Sequence, residues 1–569
     1  MKSSAKLNDV TQIKTIQEMV LRSAAEYKNK IALEDLQETP IPRVTYSELL
    51  NNILRFGTAL KKLDLRERTH IAVIGENRVQ WAIAYLTCMT FNYVVVPIDK
   101  NLSQGEIFNV IHESDAEAVI FSAGFGDMFH ESHSYLKRLR HDISMDDVGT
   151  DKDFISMKSL IDDSDPADIN DLPKIDPNEL AEIIFTSGSL GRAKGVMLSQ
   201  GNLASNLVDM VSMLMIYPED RFMSVLPIHH TYECTCGMLC PLSCGSSVHY
   251  ARSLRTITED LQKVKATMLL GVPLLFDKMY KKISQGIAED RKKSILVPVL
   301  TGITDITSKL GARNLKKKIF AELHNKFGGA VRIFIAGGAA PDPLVAKGLR
   351  GLGFNFIQGY GLTETSPILT LNRIDNFKDH AAGLTLPSVE IKIDSPDKDN
   401  VGEIWAKGPN VMLGYYKNED ATKETFSDEW FKTGDLGYID ADGFLVIKGR
   451  KKNVIISRSG KNVFPEEIED KLNRSPYILE SVVCGVPDEK HDEKIIAKIV
   501  PDAEAFIEYS ESKNINITPE MIRSTVGREI EKVNDELPIF KKVLDFEIRE
   551  DEFEKTTTQK IKRHLVSKE

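Results

Sequence analysis

Cysteine is scarce in this chain: six residues among 569, with no spacing that suggests a disulfide framework. That usage fits a reducing compartment. No run of about 18 apolar residues occurs, so no segment is expected to span a bilayer. Positive charge is also short, with 73 Lys and Arg against 83 Asp and Glu for a net charge of −10. Without a basic excess to neutralise phosphates, nucleic acid is disfavoured as a main partner. Met1-Lys2-Ser3-Ser4-Ala5-Lys6 puts no apolar core behind its charges. A secretory signal is therefore not expected, and the cytoplasm is the expected compartment. The length suits more than one domain, each with ample material for a core.

What is present reads as alternating helices and short strands. Ile16 to Tyr27 is amphipathic, and Arg43-Val44-Thr45-Tyr46 reads as a strand leading into a helix at Ser47. His70-Ile71-Ala72-Val73-Ile74, Tyr93 to Ile98 and Ala118 to Phe121 are apolar runs of strand length. Such runs separated by helices predict an α/β domain with sheets covered on both faces. Residues 126–178 turn polar and acidic and read as a solvated excursion that returns to the sheet.

The next stretch is Thr186-Ser187-Gly188-Ser189-Leu190-Gly191-Arg192-Ala193-Lys194-Gly195, after the apolar Ile183-Ile184-Phe185 and before a helix from Gly201. Its glycines let successive N–H groups turn toward one point, its hydroxyls add donors, and Arg192 and Lys194 add charge. Phosphate is the guest such a loop suits, though the decapeptide alone also fits a plain surface turn. It is not a Walker A loop, because Ala193 and Gly195 flank Lys194 where Gly and Ser or Thr are needed.

Downstream, His229 and His230 precede Cys234, Cys236, Cys240 and Cys244. Their spacing matches no common zinc pattern, which favours core packing over metal. Three basic clusters, Lys278/Lys281/Lys282, Arg291-Lys292-Lys293 and Lys316-Lys317-Lys318, flank the apolar Ile295 to Leu300. This mixture suits either a solvated helix face or contact with an anionic membrane surface. Val331 to Ala336 reads as a strand followed by Gly337-Gly338-Ala339-Ala340, small residues that admit a flat ligand. Gly359-Tyr360-Gly361-Leu362-Thr363-Glu364-Thr365 packs a ring, hydroxyls and one acid into a turn. That set suits base stacking, phosphate and Mg²⁺, or a tight turn with a satisfied Glu. Residues 401–449 read as a small antiparallel unit containing Asp435, a turn acid suited to a ribose diol. After Arg450 a compact α+β pattern restarts: a helix from Pro465 to Leu472, strands at Ile478 to Cys484 and Lys494 to Val500, and a helix start at Thr518-Pro519.

In their order these motifs resemble the adenylate-forming superfamily of acyl-CoA synthetases, peptide-synthetase adenylation domains and luciferases. The match runs from about residue 40 to 565 and includes Thr433-Gly434-Asp435, Gly449-Arg450 and Thr556-x3-Lys560. Ser189, Leu190 and Ala193 depart from the usual T-S-G-T-T-G-x-P-K-G loop. The expected fold is α/β: a large N-terminal domain of two helix-covered sheets plus a small antiparallel β subdomain (1–448), then a small mobile α+β domain (449–569).

The resemblance implies a two-step ligase that uses ATP and Mg²⁺, with CoA as co-substrate. It assigns the β- and γ-phosphates to Thr186, Ser187, Gly188, Ser189, Gly191, Lys194 and Gly195. Adenine falls to Tyr360 with Ala339 and Ala340, between Gly359 and Gly361. Thr363 meets the α-phosphate, Glu364 and Thr186 serve the metal, and Asp435 and Arg450 hold the ribose. Lys560 bridges carboxylate and α-phosphate, Lys452 is the hinge, and Gly460 and Lys461 approach the CoA arm. His230 lies at the mouth of an acyl tunnel lined by 234–242 and 331–338.

L-P-x-x-H-x-x-E, the 277–329 segment and Phe553 to Lys560 look most like long-chain fatty acyl-CoA synthetases. No Asp follows the Pro-containing strand to pair a substrate amine, which disfavours amino acids. Two alternatives stay open: a fatty acyl-AMP or acyl-carrier-protein ligase, and a nucleotide-binding phosphohydrolase or sensor that leaves Lys560 unexplained. The partners expected are fatty acid, ATP and CoA; a homodimer and peripheral contact with the inner face of a membrane stay open too.

Overall fold

Helix Val79–Thr90 is buried at all 12 positions. A helix that is covered all round needs packing partners on every side. Here they are strands of two different sheets, Val94–Ile98 and His70–Ile74 on one side and Ile31–Asp35 on another, with helices Ile16–Glu26 and Tyr46–Lys62 beside them. This computed structural model describes residues 7–37, 39–130, 135–147, 154–186, 193–289, 313–456, 461–487, 493–556 and 560–566. The chain divides into two units: Met1–Ile391 with Ala406–Phe431, and Lys392–Trp405 with Lys432–Glu569.

In the first unit, one sheet runs Gly414–Tyr415, Lys194–Ser199, Leu180–Thr186, Val94–Ile98, His70–Ile74, Ala118–Phe121, His141–Ser144, Ile155–Ser156. Its middle is parallel, with Ile71 level with Val95 on one neighbour and Ala118 on the other. Continuous apolar runs such as Val94–Ile98, buried at every residue, are what a sheet covered on both faces requires. The second sheet carries Asn355–Gly361, Ile333–Ala336, Met268–Gly271, Arg221–Ser224, Ser247–Tyr250 and Ile31–Asp35 in parallel. Helix starts are written locally. Thr45 and Glu48 form a capping box for Tyr46–Lys62, and Ser199 with Asn202 does so for Gln200–Met213.

Two expectations change. The acidic excursion is not simply solvated, since His141–Ser144 and Ile155–Ser156 extend the first sheet. Asp146, next to that strand, forms a bidentate pair with Arg78 at 2.8 and 3.0 Å. The basic segment is also not one polar face. Lys316 is buried on helix Arg313–Ile319, while Arg291 to Lys293 and Ile295 to Leu300 lie outside the described residues. No helix among the described residues is long and apolar enough to cross a membrane.

In the second unit the strand from Lys432 to Ile439 pairs antiparallel with Phe444–Arg450, with Asp435 opposite Arg450. Further on, Ile478–Pro487, Glu493–Pro501 and Asp545–Ile548 form a sheet packed by helices Pro465–Leu472 and Pro519–Glu536. Thr518 caps the latter helix through the Met521 N–H, with Pro519 in its first turn.

Candidate active site

The glycine-rich stretch joins two antiparallel strands: Thr186 ends one and faces Lys194, which opens the next. The helix expected from Gly201 begins at Gln200. Thr186 Oγ1 donates to the Lys194 carbonyl at 3.5 Å. Ser187, Gly188, Ser189 and Gly191 lie outside the described residues. Gly195 is required by crowding: a Cβ there would stand 2.9 Å from Ile183 and 3.3 Å from Tyr416 Cβ.

The second motif ends strand Asn355–Gly361 and enters a 3-10 turn, Thr363–Thr365. Gly359, Tyr360, Gly361, Thr363 and Glu364 are half-buried, and Ala339 and Ala340 are exposed just beyond strand Ile333–Ala336. A Cβ on Gly361 would fall 1.8 Å from the Pro367 carbonyl oxygen, so only glycine fits. Two asparagines hold the far side of the turn. Asn410 Nδ2 donates to the Thr365 and Ile368 carbonyls at 2.9 Å each, and Asn206 Nδ2 donates to Ile368 at 2.7 Å.

These two motifs meet through a residue to which the sequence assigned no role. Tyr415, in the short strand Gly414–Tyr415, lies beside Val196 and Met197 of the hairpin. Its hydroxyl donates to Glu364 Oε1 at 3.0 Å, and Lys194 Nζ sits 4.7 Å from its ring centroid. The Met412 N–H also donates to the Glu364 carbonyl at 2.9 Å. The Lys194 cation and the Glu364 carboxylate are thereby held on one aromatic side chain. A Gly-Tyr-Tyr run in sequence shows only strand propensity; the pairing register with Met197 supplies the rest.

His230 is half-buried at the entry to a π-helix, Tyr232–Leu239, and its Nδ1 accepts the Tyr232 N–H at 3.3 Å. π-Helical turns often accompany functional sites. Its neighbour His229 lies 3.7 Å from Asp99 Oδ2, and burial lowers the imidazole's affinity for a proton while Asp99 opposes that. Asn77 fixes the approach to His230, donating to the Leu226 carbonyl at 2.6 Å and accepting from the Ile228 N–H at 3.0 Å. Neither Asp99 nor Asn77 carries a local sequence signal. Cys234, Cys236 and Cys240 are buried and Cys244 is half-buried, its thiol pushed up to about 11 by desolvation. Among the described residues no cluster of three or more His, Cys, Asp or Glu could hold a metal.

In the second unit Asp435 is buried and pairs with Arg450 Nε at 2.8 Å. The Asp435 N–H donates to Thr433 Oγ1 at 3.1 Å, and Thr433 donates in turn to the Ile404 carbonyl at 2.7 Å. Gly434 adopts φ +70°, which glycine tolerates best. Lys452 is exposed in the 3-10 turn Lys451–Asn453. Lys461 lies 4.4 Å from the Phe540 ring, and Gly460 is outside the described residues. Lys560 is exposed, its N–H donating to Thr556 Oγ1 at 3.2 Å.

Residues 20–416 match the AMP-binding enzyme family. The chain belongs to that family. At this level it is an adenylate-forming acyl ligase. Among curated relatives, it is 28% identical to the long-chain-fatty-acid–CoA ligase FadD15 of Mycobacterium bovis, over 92% of this chain and 90% of that one. It is 26% identical to the long-chain-fatty-acid–[acyl-carrier-protein] ligase AEE15 of Arabidopsis thaliana, over 97% and 85%. Among solved structures, the anthranilate CoA ligase AuaEII in complex with anthranoyl-AMP superposes with a TM-score of 0.77 over 98% of both chains, at 19% identity. That likeness establishes the family fold: a large sheet-rich N-terminal part and a smaller C-terminal one.

Proposed function

We propose that this chain activates a long-chain fatty acid with ATP and passes the acyl group to CoA. In the first step a carboxylate oxygen attacks the α-phosphorus, forming the acyl-adenylate as pyrophosphate leaves. In the second the CoA thiolate attacks the acyl carbonyl, forming the thioester as AMP leaves. Such chemistry is mostly positioning and charge neutralisation. The observation that carries the reading is the Lys194–Tyr415–Glu364 arrangement, a cation and an acid held on one aromatic side chain, which supports a site for ATP phosphates and their metal.

In this reading Thr186, Lys194, Gly195 and the turn between them hold the β- and γ-phosphates, and Thr363 meets the α-phosphate. Tyr360, with Ala339 and Ala340, takes adenine; Asp435 and Arg450 take the ribose. Glu364, aided by Thr186, would hold Mg²⁺. One oriented carboxylate suits this ion, which binds through one or two carboxylates plus substrate phosphates. When bound, it neutralises phosphate charge. Lys560 places its ammonium where charge builds between carboxylate and α-phosphate. In the same reading Lys452 is the hinge of a mobile domain, 449–569, that brings the Gly460–Lys461 loop to the CoA arm. His230 stands at the acyl end.

The long-chain substrate is supported by L-P-x-x-H-x-x-E and by the name of the Mycobacterium bovis relative. The name of the Arabidopsis relative favours a second reading, a carrier-protein acceptor. Incubation with palmitate, ATP and Mg²⁺, and then either CoA or phosphopantetheinylated acyl carrier protein, separates them by mass spectrometry. Palmitoyl-CoA is the expected product; acylated carrier protein with CoA untouched would select the second reading.

A further inference from the structure

After Ile548 the regular structure among the described residues is the short helix Arg563–Val566, and the chain is anchored on both sides of Lys560. On the near side, Glu480 of strand Ile478–Pro487 uses both carboxylate oxygens. Oε1 accepts the Phe553 N–H at 2.7 Å, and Oε2 pairs with Lys555 Nζ at 2.7 Å. On the far side, Arg563 pairs with Glu469 of helix Pro465–Leu472 and donates to the Val483 carbonyl at 3.2 Å. Phe553 and Val566 pack with Val482 and Val500 of the sheet, and Lys498 Nζ donates to the Val566 carbonyl at 3.0 Å.

Between the anchors the chain folds back on itself. Lys555 and Ile561 form an antiparallel bridge, and the Lys562 N–H donates to the Glu554 carbonyl at 2.8 Å. The Thr556 N–H donates to the Lys560 carbonyl at 2.7 Å. Lys560 therefore sits in a small hairpin whose two arms are each tied to a different element of the domain.

Both glutamates are 8% exposed. Burying carboxylates is costly unless they are paired and hydrogen-bonded, and apolar residues of similar volume often serve stability as well or better. Two such pairs on one short tail fix its register and the position of its backbone. A lysine ammonium acts on a transition state only where it is placed, and a misplacement of about 1 Å can cost about a hundredfold.

We infer that Glu480, through Lys555, and Glu469, through Arg563, are positioning residues that set Lys560 for the adenylate-forming step. This rests on the role given to Lys560 above. The two acids touch no substrate; they act through the hairpin that carries the lysine.

The test uses the full-length protein with Lys555→Met, Arg563→Met, Lys555→Arg and Lys560→Ala. Each variant is assayed for palmitate-dependent ATP–pyrophosphate exchange, for palmitoyl-CoA formation from preformed palmitoyl-adenylate, and for its thermal midpoint. Lys555→Met and Arg563→Met are expected to lower exchange about tenfold or more while the thioester step stays within about twofold. Lys555→Arg, which keeps a cation against Glu480, is expected to restore exchange. Unchanged exchange, or equal loss of both half-reactions while Lys560→Ala remains selective, overturns the inference and leaves the role of Lys560 intact. If Lys560→Ala leaves exchange intact, that role fails first and the inference falls with it.

Discussion

Tyr415 donates its hydroxyl to Glu364 Oε1 at 3.0 Å while its ring lies 4.7 Å from the Lys194 ammonium. One side chain thus orients the acid and holds the cation of two motifs that are about 170 residues apart in sequence. Tyr415→Phe keeps the ring and removes the hydroxyl. A hydrogen bond to a charged group contributes about 1.5–3 kcal/mol, so the adenylation kcat/KM should fall about tenfold or more, with a higher Mg²⁺ requirement. Pyrophosphate exchange across a Mg²⁺ titration checks this; an unchanged Mg²⁺ profile would remove Tyr415 from the site.

The Asp435–Arg450 pair makes a separate prediction. Asp435→Ala removes a buried carboxylate that pairs with Arg450. On the ribose reading, the KM for ATP should rise about tenfold with the KM for fatty acid little changed. A rise confined to the fatty acid would contradict that assignment.

Glu182 offers a test of the fold through pH. It is fully buried in strand Leu180–Thr186, accepts from the Tyr85 hydroxyl at 3.2 Å, and burial raises its pKa from 4.5 to about 8. Between those values the unfolded chain has released the proton and the folded chain retains it. Stability is therefore greatest near the acid end of the window and falls as pH rises, by at most about 1.4 kcal/mol per pH unit from this group. Thermal midpoints at about pH 5.5 and about pH 7.5 should drop less in Glu182→Gln than in the unmodified protein. Equal drops would show that Glu182 ionises normally.

Lys452→Pro addresses the hinge. Fixing φ there should depress thioester formation from preformed palmitoyl-adenylate more than exchange. Uniform loss of the two half-reactions would argue against Lys452 as the pivot.

The elements legible in sequence are those written by neighbours in the chain. Pro465–Leu472 begins and ends at the residues expected, and Thr518 caps its helix as its hydroxyl and the following Pro519 imply. Strands such as Val94–Ile98 announced themselves as apolar runs. His141–Ser144 did not, because a short edge-side strand set among acids carries little periodicity. The candidate site divides the same way. Glu364, Asp435 and Lys560 stand in motifs that a resemblance can supply. Tyr415, Asn77 and Asp99 act through register and crossover, bringing together residues far apart in the chain, and no local pattern encodes that.

Carboxylate-dependent ATP–pyrophosphate exchange tests the central claim most directly, using acetate, octanoate, palmitate, benzoate and amino acids in turn, with CoA then added to the best substrate. Exchange strongest with palmitate, followed by AMP release when CoA is added, is the predicted result. No exchange with any carboxylate, despite ATP binding, would contradict the proposed ligase while leaving the family fold in place.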